Sequence, residues 1–248
     1  MGRPDQVIQA IKDLSDQMNM GKVIYFAKDK DKNAFEERGF IEEGKIEGFY
    51  NGQNACCLSF FSDEKRRYSD HPDEEDKILE TALNVKTKEN REAAKDYIIR
   101  EAGQGDAEEI AKLFESVFIT YPTPMHQPQY IEGVMESKIL FMVAENKRGE
   151  MISAGSAEIN REYFNAEITD CATKQAYRGK GVLSSIILSL EVALAHQGIK
   201  TLYSLSRSMS YGMNIILSRN NYQYAGRMIK NCNIMGDFED LNLWVKSI

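Results

Sequence analysis

Runs of apolar residues long enough to cross a bilayer, about 20 in a row, are missing from this 248-residue chain. Cysteine is scarce: Cys56, Cys57, Cys171 and Cys232 are the whole set, and no two form a Cys-x-x-Cys pair. The three histidines are scattered. Zinc sites and disulfide frameworks need such residues at close spacing, so neither is expected, nor any other metal, and a reduced cytoplasmic setting fits. Net positive charge is absent as well. The balance is −7 with an isoelectric point near 5.2, which argues against nucleic-acid binding. The opening Met-Gly-Arg-Pro-Asp lacks the apolar segment of a secretion signal, and Gln6 stands where a myristoylation motif wants Ser or Thr. What is present is apolar material at 42 % of residues, enough for the core of one large domain or two modest ones.

The chain reads as α/β (α+β). Val7, Ile8, Ile11, Leu14 and Met18 recur at helical spacing after a capping Asp5, and Gly21 ends that helix. Val23 to Ala27 reads as a short strand, Lys32 to Arg38 as a helix, and Phe40 to Tyr50 with Ala55 to Phe61 as a hairpin turned by Asn51-Gly52. Residues 63–95 are densely charged and predict a linker holding one helix from Glu74 to Leu83, with the boundary near residues 85–95. The domains expected are therefore 1–62, the linker 63–95, and 96–248. In the last of these Asp106, with Glu109 three residues on, predicts a capping box for a helix that buries Ile110, Leu113, Phe114 and Val117. Three of the five prolines fall between Tyr121 and Pro128, marking an ordered loop. A helix over Gln129–Glu136 follows, then strands over Ile139–Glu145, Ile152–Asn160 and Glu167–Thr173. A long helix with an apolar stripe from Leu183 to Leu194 comes next, then a strand (Thr201–Ser206), a helix (Tyr211–Arg219) and two strands (Tyr222–Ile234, Leu241–Lys246).

One internal echo is visible. Gly21-Lys22-Val23-Ile24-Tyr25 matches Gly198-Ile199-Lys200-Thr201-Leu202-Tyr203 after one insertion, and Arg38-Gly39-Phe40 corresponds to Asn220-Asn221-Tyr222. The N-terminal unit thus reads as a degenerate copy of the second half of the C-terminal domain, with a structural or dimer-forming role.

The stretch Asp170 to Val182 carries the strongest chemical signal. Arg178-Gly179-Lys180-Gly181 lies between a strand and a helix. Glycines let the backbone turn tightly and approach a ligand. The free N–H groups of the helix's first turn and its dipole favour an anion. There is no Gly-Lys-Ser/Thr ending and no Gly-x-Gly-x-x-Gly, so the triphosphate and dinucleotide loops are set aside.

With this element order, Arg178-x-x-Gly181 resembles the Arg/Gln-x-x-Gly-x-Gly/Ala pattern of the GNAT acetyltransferase superfamily; Leu183 departs from its last position. Gly48-Phe49-Tyr50-Asn51-Gly52, Tyr121-Pro122, Thr169-Asp170-Cys171-Ala172-Thr173, Tyr177 to Gly181, Ser210-Tyr211-Gly212-Met213-Asn214 and Asn231-Cys232-Asn233-Ile234 are similar to β-lysine N-acetyltransferases across nearly the whole chain. The resemblance implies acetyl-CoA as co-substrate and the terminal amine of β-lysine as acceptor. Its product, N6-acetyl-β-lysine, is a compatible solute. Another small amine, a protein N-terminus, or CoA binding without transfer are the alternatives. It further implies a CoA site from Ala172, Thr173, Arg178, Gly179, Lys180, Gly181, Val182, Leu183, Ser184 and Asn214. No nucleic acid or membrane partner is expected, and a homodimer is allowed.

The chemistry sets requirements. An alkyl ammonium with a pKa of about 10.4 is neutral only about one time in a thousand near pH 7.4, a cost of roughly 4 kcal/mol, which a placed base offsets. By strand alternation Asp170 shares a face with Ile168 and Ala172, an apolar setting that raises its pKa. It reads either as that base or as an acid satisfying backbone donors. Glu158 and Glu167 are the other candidates for base, or for holding a second ammonium. GNAT enzymes often protonate the leaving thiolate from a late-helix tyrosine, but that position is Leu217 here. Tyr211 is the remaining candidate. Arg207 is placed to clamp a carboxylate or to form a surface ion pair. Asn231 and Asn233 can read polar ends of the acceptor or satisfy a hairpin, and Tyr121 and His126 are candidates for the acceptor wall.

Overall fold

A computed structural model describes residues 4–85, 96–137 and 139–248. The expected boundary near residues 85–95 falls almost wholly outside those described. The N-terminal helix α1 (Pro4–Gln17) buries Ile8, while Leu14 and Met18, both expected on its inner face, are exposed because the helix is covered on a narrow stripe only. Next come β1 (Lys22–Lys28), a short helix α2 (Lys32–Glu36), β2 (Ile41–Tyr50) and β3 (Gln53–Phe61). Asn51 and Gly52 turn the hairpin with φ of 51° and 94°, the left-handed pair that a two-residue hairpin requires.

The charged segment then yields α3 (Pro72–Leu83), which begins at Pro72 rather than Glu74 because a proline is well placed at the first helical position. It is docked rather than free. Ala82 is fully buried in the main core, and Ser218 Oγ donates to the Ala82 carbonyl at 2.6 Å.

The C-terminal elements are β4 (Tyr97–Glu101), α4 (Ala107–Val117), α5 (Pro128–Met135), β5 (Ile139–Asn146), β6 (Met151–Asn160), β7 (Asn165–Thr173), α6 (Val182–His196), β8 (Thr201–Arg207), α7 (Tyr211–Arg219), β9 (Gln223–Ile234) and β10 (Asp237–Ser247). The expected capping box at α4 does not form. Arg100 takes Asp106 in a fork of two 2.7 Å hydrogen bonds, and Asp106 accepts the Gly103 N–H instead of its own helix's donors. Two parallel bonds to a guanidinium cation outcompete a single bond to a helix N–H.

All ten strands form one sheet in the order β1-β3-β2-β9-β10-β8-β7-β6-β5-β4, antiparallel except for β7 and β8. The sequence echo is a topological one: β1-β3-β2 repeats β8-β10-β9 in mirrored order about the β2–β9 seam. Phe40 N–H bonds the Phe35 carbonyl as Tyr222 N–H bonds that of Leu217, and both turns use a left-handed residue, Gly39 or Asn221. At the seam Gly44 pairs with Gly226. A Cβ on Gly226 would meet the Glu43 carbonyl oxygen at 2.2 Å, so the backbones cross where no side chain fits. Helices sandwich the C-terminal strands. The core of Ile168, Ile186, Ile187, Leu190 and Trp244 lies under α6, α7 and α3. The core of Ile110, Phe114, Phe141 and Ala172 lies under α4 and α5.

Candidate active site

Strands β7 and β8 pair over three residues only, Asn165–Glu167 with Thr201–Tyr203, and then separate. Ser204 Oγ bridges to the Ile168 carbonyl at 2.7 Å where the ladder ends. Beyond it opens a cavity of about 900 Å³, lined on the strand side by Thr169 to Cys171 and Leu205 to Arg207. Its two ends differ in chemistry.

One end is the turn before α6. Gly179 and Gly181 have φ of 75° and 80°, so they supply the left-handed conformations that let the chain double back. A Cβ on either meets nothing within 4 Å; the space in front of the turn is open. Arg178 Nε donates to the Thr173 carbonyl at 3.1 Å and ties the turn to β7. Gly181 caps α6 with no side-chain hydrogen bond, and the first bonded amide is that of Ser185. The N–H groups of Val182, Leu183 and Ser184 precede the first intrahelical bond, as at any helix start, and these three residues line the cavity with Arg178, Gly179, Lys180 and Arg219. Helix-terminal N–H groups beside cations suit a diphosphate. Arg219, 41 residues after Arg178, carries no sequence signal for this place.

Near the middle stands Asp170, 8 % exposed, with φ of 46°. Here β7 holds one residue more than β6: Ala154 pairs with Ala172 and Ser156 with Thr169. This bulge corrects the simple alternation. Ile168 faces the α6 core and Ala172 the α4 core, so Asp170 shares a face with Ala172 but not with Ile168. Ser156 Oγ donates to its Oδ2 at 2.7 Å and Tyr121 Oη to its Oδ1 at 3.1 Å. Burial raises the carboxyl above the ordinary range, against the pull of those two hydrogen bonds, and the charge of Glu158 adds to the rise. Burial likewise drives the neighbouring Cys171 thiol up to about 12, so it stays protonated. Tyr121 is set by an edge-to-face contact with Phe114 and a tilted one with Phe118.

The far end is closed by Val117, Phe118, Tyr121 and the β9–β10 hairpin tip, Ile234 and Met235. The tip is pinned to the proline loop: Gly236 N–H donates to Thr120 Oγ1 at 2.7 Å and Thr120 Oγ1 to Asn233 Oδ1 at 3.2 Å. Asn231 and Asn233 thus sit on the hairpin rather than in the cavity wall.

Several expected residues fall elsewhere. Ala172 is buried under α4 and its carbonyl accepts from Ser153 Oγ, so only Thr173 of that pair reaches the cavity. Asn214 is fully buried and does not reach it either. It accepts from Asn242 and Trp244 at 3.0 Å each and donates to the Arg207 and Ser210 carbonyls, anchoring the start of α7. Arg207 lines the cavity but is paired with Glu239 at 2.8 Å, a partner on β10. His126 is exposed beside Gln127, outside the cavity. Leu217 is buried in the core and Tyr211 stands at the cavity mouth. Glu158 and Glu167 face each other across β6 and β7. Glu158 lines a neighbouring 280 Å³ cavity with Phe49, Asn165 and Tyr203, and Glu167 bonds the Tyr203 hydroxyl.

Comparison with known proteins agrees with this geometry. Residues 107–210 match the Acetyltransferase (GNAT) family. The chain is 35 % identical over its whole length to the N-acetyltransferase YodP of Bacillus subtilis, covering 90 % of that protein. It is 33 % identical over its whole length to the β-lysine N(6)-acetyltransferase of Methanosarcina mazei, covering 99 % of that protein. A GNAT-superfamily phosphinothricin acetyltransferase from Sinorhizobium meliloti, solved with acetyl-CoA, shares the fold with a TM-score of 0.55 at 17 % identity; the match takes in 62 % of this chain and 89 % of the other.

The splayed strands, the glycine turn and these likenesses define a GNAT acetyltransferase, an acyltransferase whose fold works on acetyl-CoA. Within that class the chain belongs to the β-lysine N-acetyltransferase family. Among the described residues no helix is long and apolar enough to cross a membrane, and no group of His, Cys, Asp or Glu is arranged to hold a metal.

Proposed function

We propose that the chain transfers the acetyl group of acetyl-CoA to the N6 amine of β-lysine, giving N6-acetyl-β-lysine as a compatible solute, with residues 96–248 as the transferase unit. The observation that carries the proposal is the placement of Asp170 at the splay with further charges on the same sheet face. Ser156 and Glu158 follow one another on that face of β6, Glu167 lies opposite Glu158, and Tyr203, Leu205 and Arg207 alternate along β8. An acceptor with two amines and a carboxylate matches this pattern. Its reacting amine meets Asp170, and its remote end, where the second ammonium and the carboxylate are neighbours, extends along this face with the ammonium toward Glu158 and Glu167. The names of the relatives from Methanosarcina and Methanococcus support the acceptor.

In this mechanism the turn from Arg178 to Ser184 binds the CoA diphosphate and so sets the thioester in the splay. Asp170 takes a proton from the entering amine. The amine nitrogen forms a bond to the acetyl carbon, the carbon–sulfur bond breaks, and the thiolate leaves with a proton from Tyr211, which regains one from the proton that the new amide nitrogen sheds. Tyr121 and Ser156 hold the Asp170 carboxylate in place throughout. Purified protein with acetyl-CoA and a panel of β-lysine, lysine and polyamines, followed by thiol release, tests the reading. Turnover with β-lysine at the highest kcat/KM is expected; turnover of another amine with none for β-lysine would overturn the acceptor.

A further inference from the structure

The β9–β10 hairpin carries Ile234 and Met235 into the cavity wall, and it does not leave the sheet as a regular ladder. Between the pairs Met228–Leu241 and Cys232–Glu239, three residues of β9 (Ile229, Lys230 and Asn231) stand opposite Asp240 alone. Lys230 has φ of 42°, the left-handed region. A bulge of this size strips main-chain groups of their ladder partners, and each must find another.

Charged side chains supply them. Glu43 Oε1 accepts the Ile229 N–H at 2.8 Å, and Lys22 Nζ donates to the Ile229 carbonyl at 2.6 Å. Asp240 Oδ1 accepts the Lys230 N–H at 2.7 Å, and Arg66 Nε donates to the Lys230 carbonyl at 3.1 Å. Three of the four are N-terminal to residue 70. Lys22 and Glu43 also pair with each other at 2.6 Å, their side chains 1 % and 5 % exposed. Arg66 lies 3.4 Å over the ring of Phe238, on the outgoing strand of the same hairpin. A buried ion pair contributes little net stability against apolar residues of the same shape, so stability alone is a poor reason to keep this one. Fixing the direction of a bulged hairpin is a better one.

We infer that Lys22, Glu43 and Arg66 are positioning residues for the amine acceptor. They hold the bulge of β9, and the bulge aims the hairpin tip that closes the acceptor end of the cavity. The N-terminal unit thereby shapes acceptor binding without touching the acceptor. The CoA turn lies at the opposite end of the cavity and is untouched by the clamp. The inference rests on the proposed function, which puts CoA at the glycine turn and so leaves the far end, walled by Ile234 and Met235, to the amine; it does not rest on β-lysine itself.

Steady-state kinetics on the full chain tests it, using whichever amine of the panel the wild type acetylates best, so that a wrong acceptor assignment leaves the test intact. Two variants are used: Lys22→Met with Glu43→Leu, which removes both buried charges together, and Arg66→Leu at a half-buried position. Displacing a wall by a fraction of an ångström predicts an amine KM raised about tenfold or more in both. Acetyl-CoA affinity by calorimetry should stay within about twofold, with a retained cooperative melt. An amine KM within about twofold of wild type in either folded variant, or acetyl-CoA affinity falling in step with it, would overturn the inference.

Discussion

Tyr121 Oη donates to Asp170 Oδ1 across 3.1 Å, joining the proline loop to the bulge of β7. A hydrogen bond to the ionised carboxylate lowers its pKa, and burial raises it. Tyr121→Phe removes the lowering contribution, so the base becomes harder to ionise. The acid limb of the kcat/KM profile should move to higher pH, with kcat reduced about tenfold or more. Asp170→Asn should lower kcat by about 10²-fold or more while acetyl-CoA affinity holds. Stopped-time thiol assays across pH, with calorimetry for the cofactor, check both; equal loss of turnover and affinity would remove Asp170 as the base.

Gly181→Glu places a β-carbon at φ of 80° and a negative charge in front of the α6 amides. The space there is open, so folding should lose only about 1–2 kcal/mol of backbone strain. The anion site should suffer more, with acetyl-CoA affinity falling about 100-fold, or about 2.7 kcal/mol. Calorimetric titration measures it, and unchanged affinity would take the turn out of the site.

The seam glycines differ from the turn glycines. Gly226→Ala drives a methyl to 2.2 Å from the Glu43 carbonyl oxygen, and a loss of more than about 3 kcal/mol is expected, at the high end for a point substitution. Gly39→Ala, with φ of 90° and nothing within 4 Å, should cost only about 1–2 kcal/mol. Denaturant unfolding of the two variants separates backbone strain from collision.

Glu75 on α3 is buried beside Asp240, and desolvation with that neighbouring charge pushes its carboxyl up to about 7. The unfolded carboxyl releases its proton near 4.5. Between these values the folded state holds more protons, so this group's contribution to stability falls as pH rises from about 4.5 to 7. Glu75→Gln should flatten that decline, since Arg227 keeps its 2.8 Å contact with Asp76. Melting temperatures from pH 4.5 to 8 give the slope, which should be shallower in the variant.

Most elements were legible in the sequence because their signals are local. Asn51-Gly52 states a hairpin by itself, and Arg-Gly-Lys-Gly states a turn with open helix donors. The misplacements share one cause, a partner distant in sequence. Arg207 reads equally as a carboxylate clamp or an ion-pair partner until Glu239 arrives from β10, and Asp106 reads as a cap until Arg100 takes it. Asn214 lies in a motif, and only Asn242 and Trp244 reveal it as a buried anchor. The bulge at Asp170 is invisible to alternation, since one inserted residue leaves no compositional trace. The raised pKa was expected on the right ground, burial, though half of the supposed apolar neighbours lie on the other face.

The seam at Gly44 and Gly226 has a consequence for assembly. A lone half ending in β9 would offer a row of unpaired amides and carbonyls to any passing strand. Here β2 of the same chain occupies that border of the sheet. The chain thus shields with its own N-terminal unit the border of the strand that builds the far wall of the cavity.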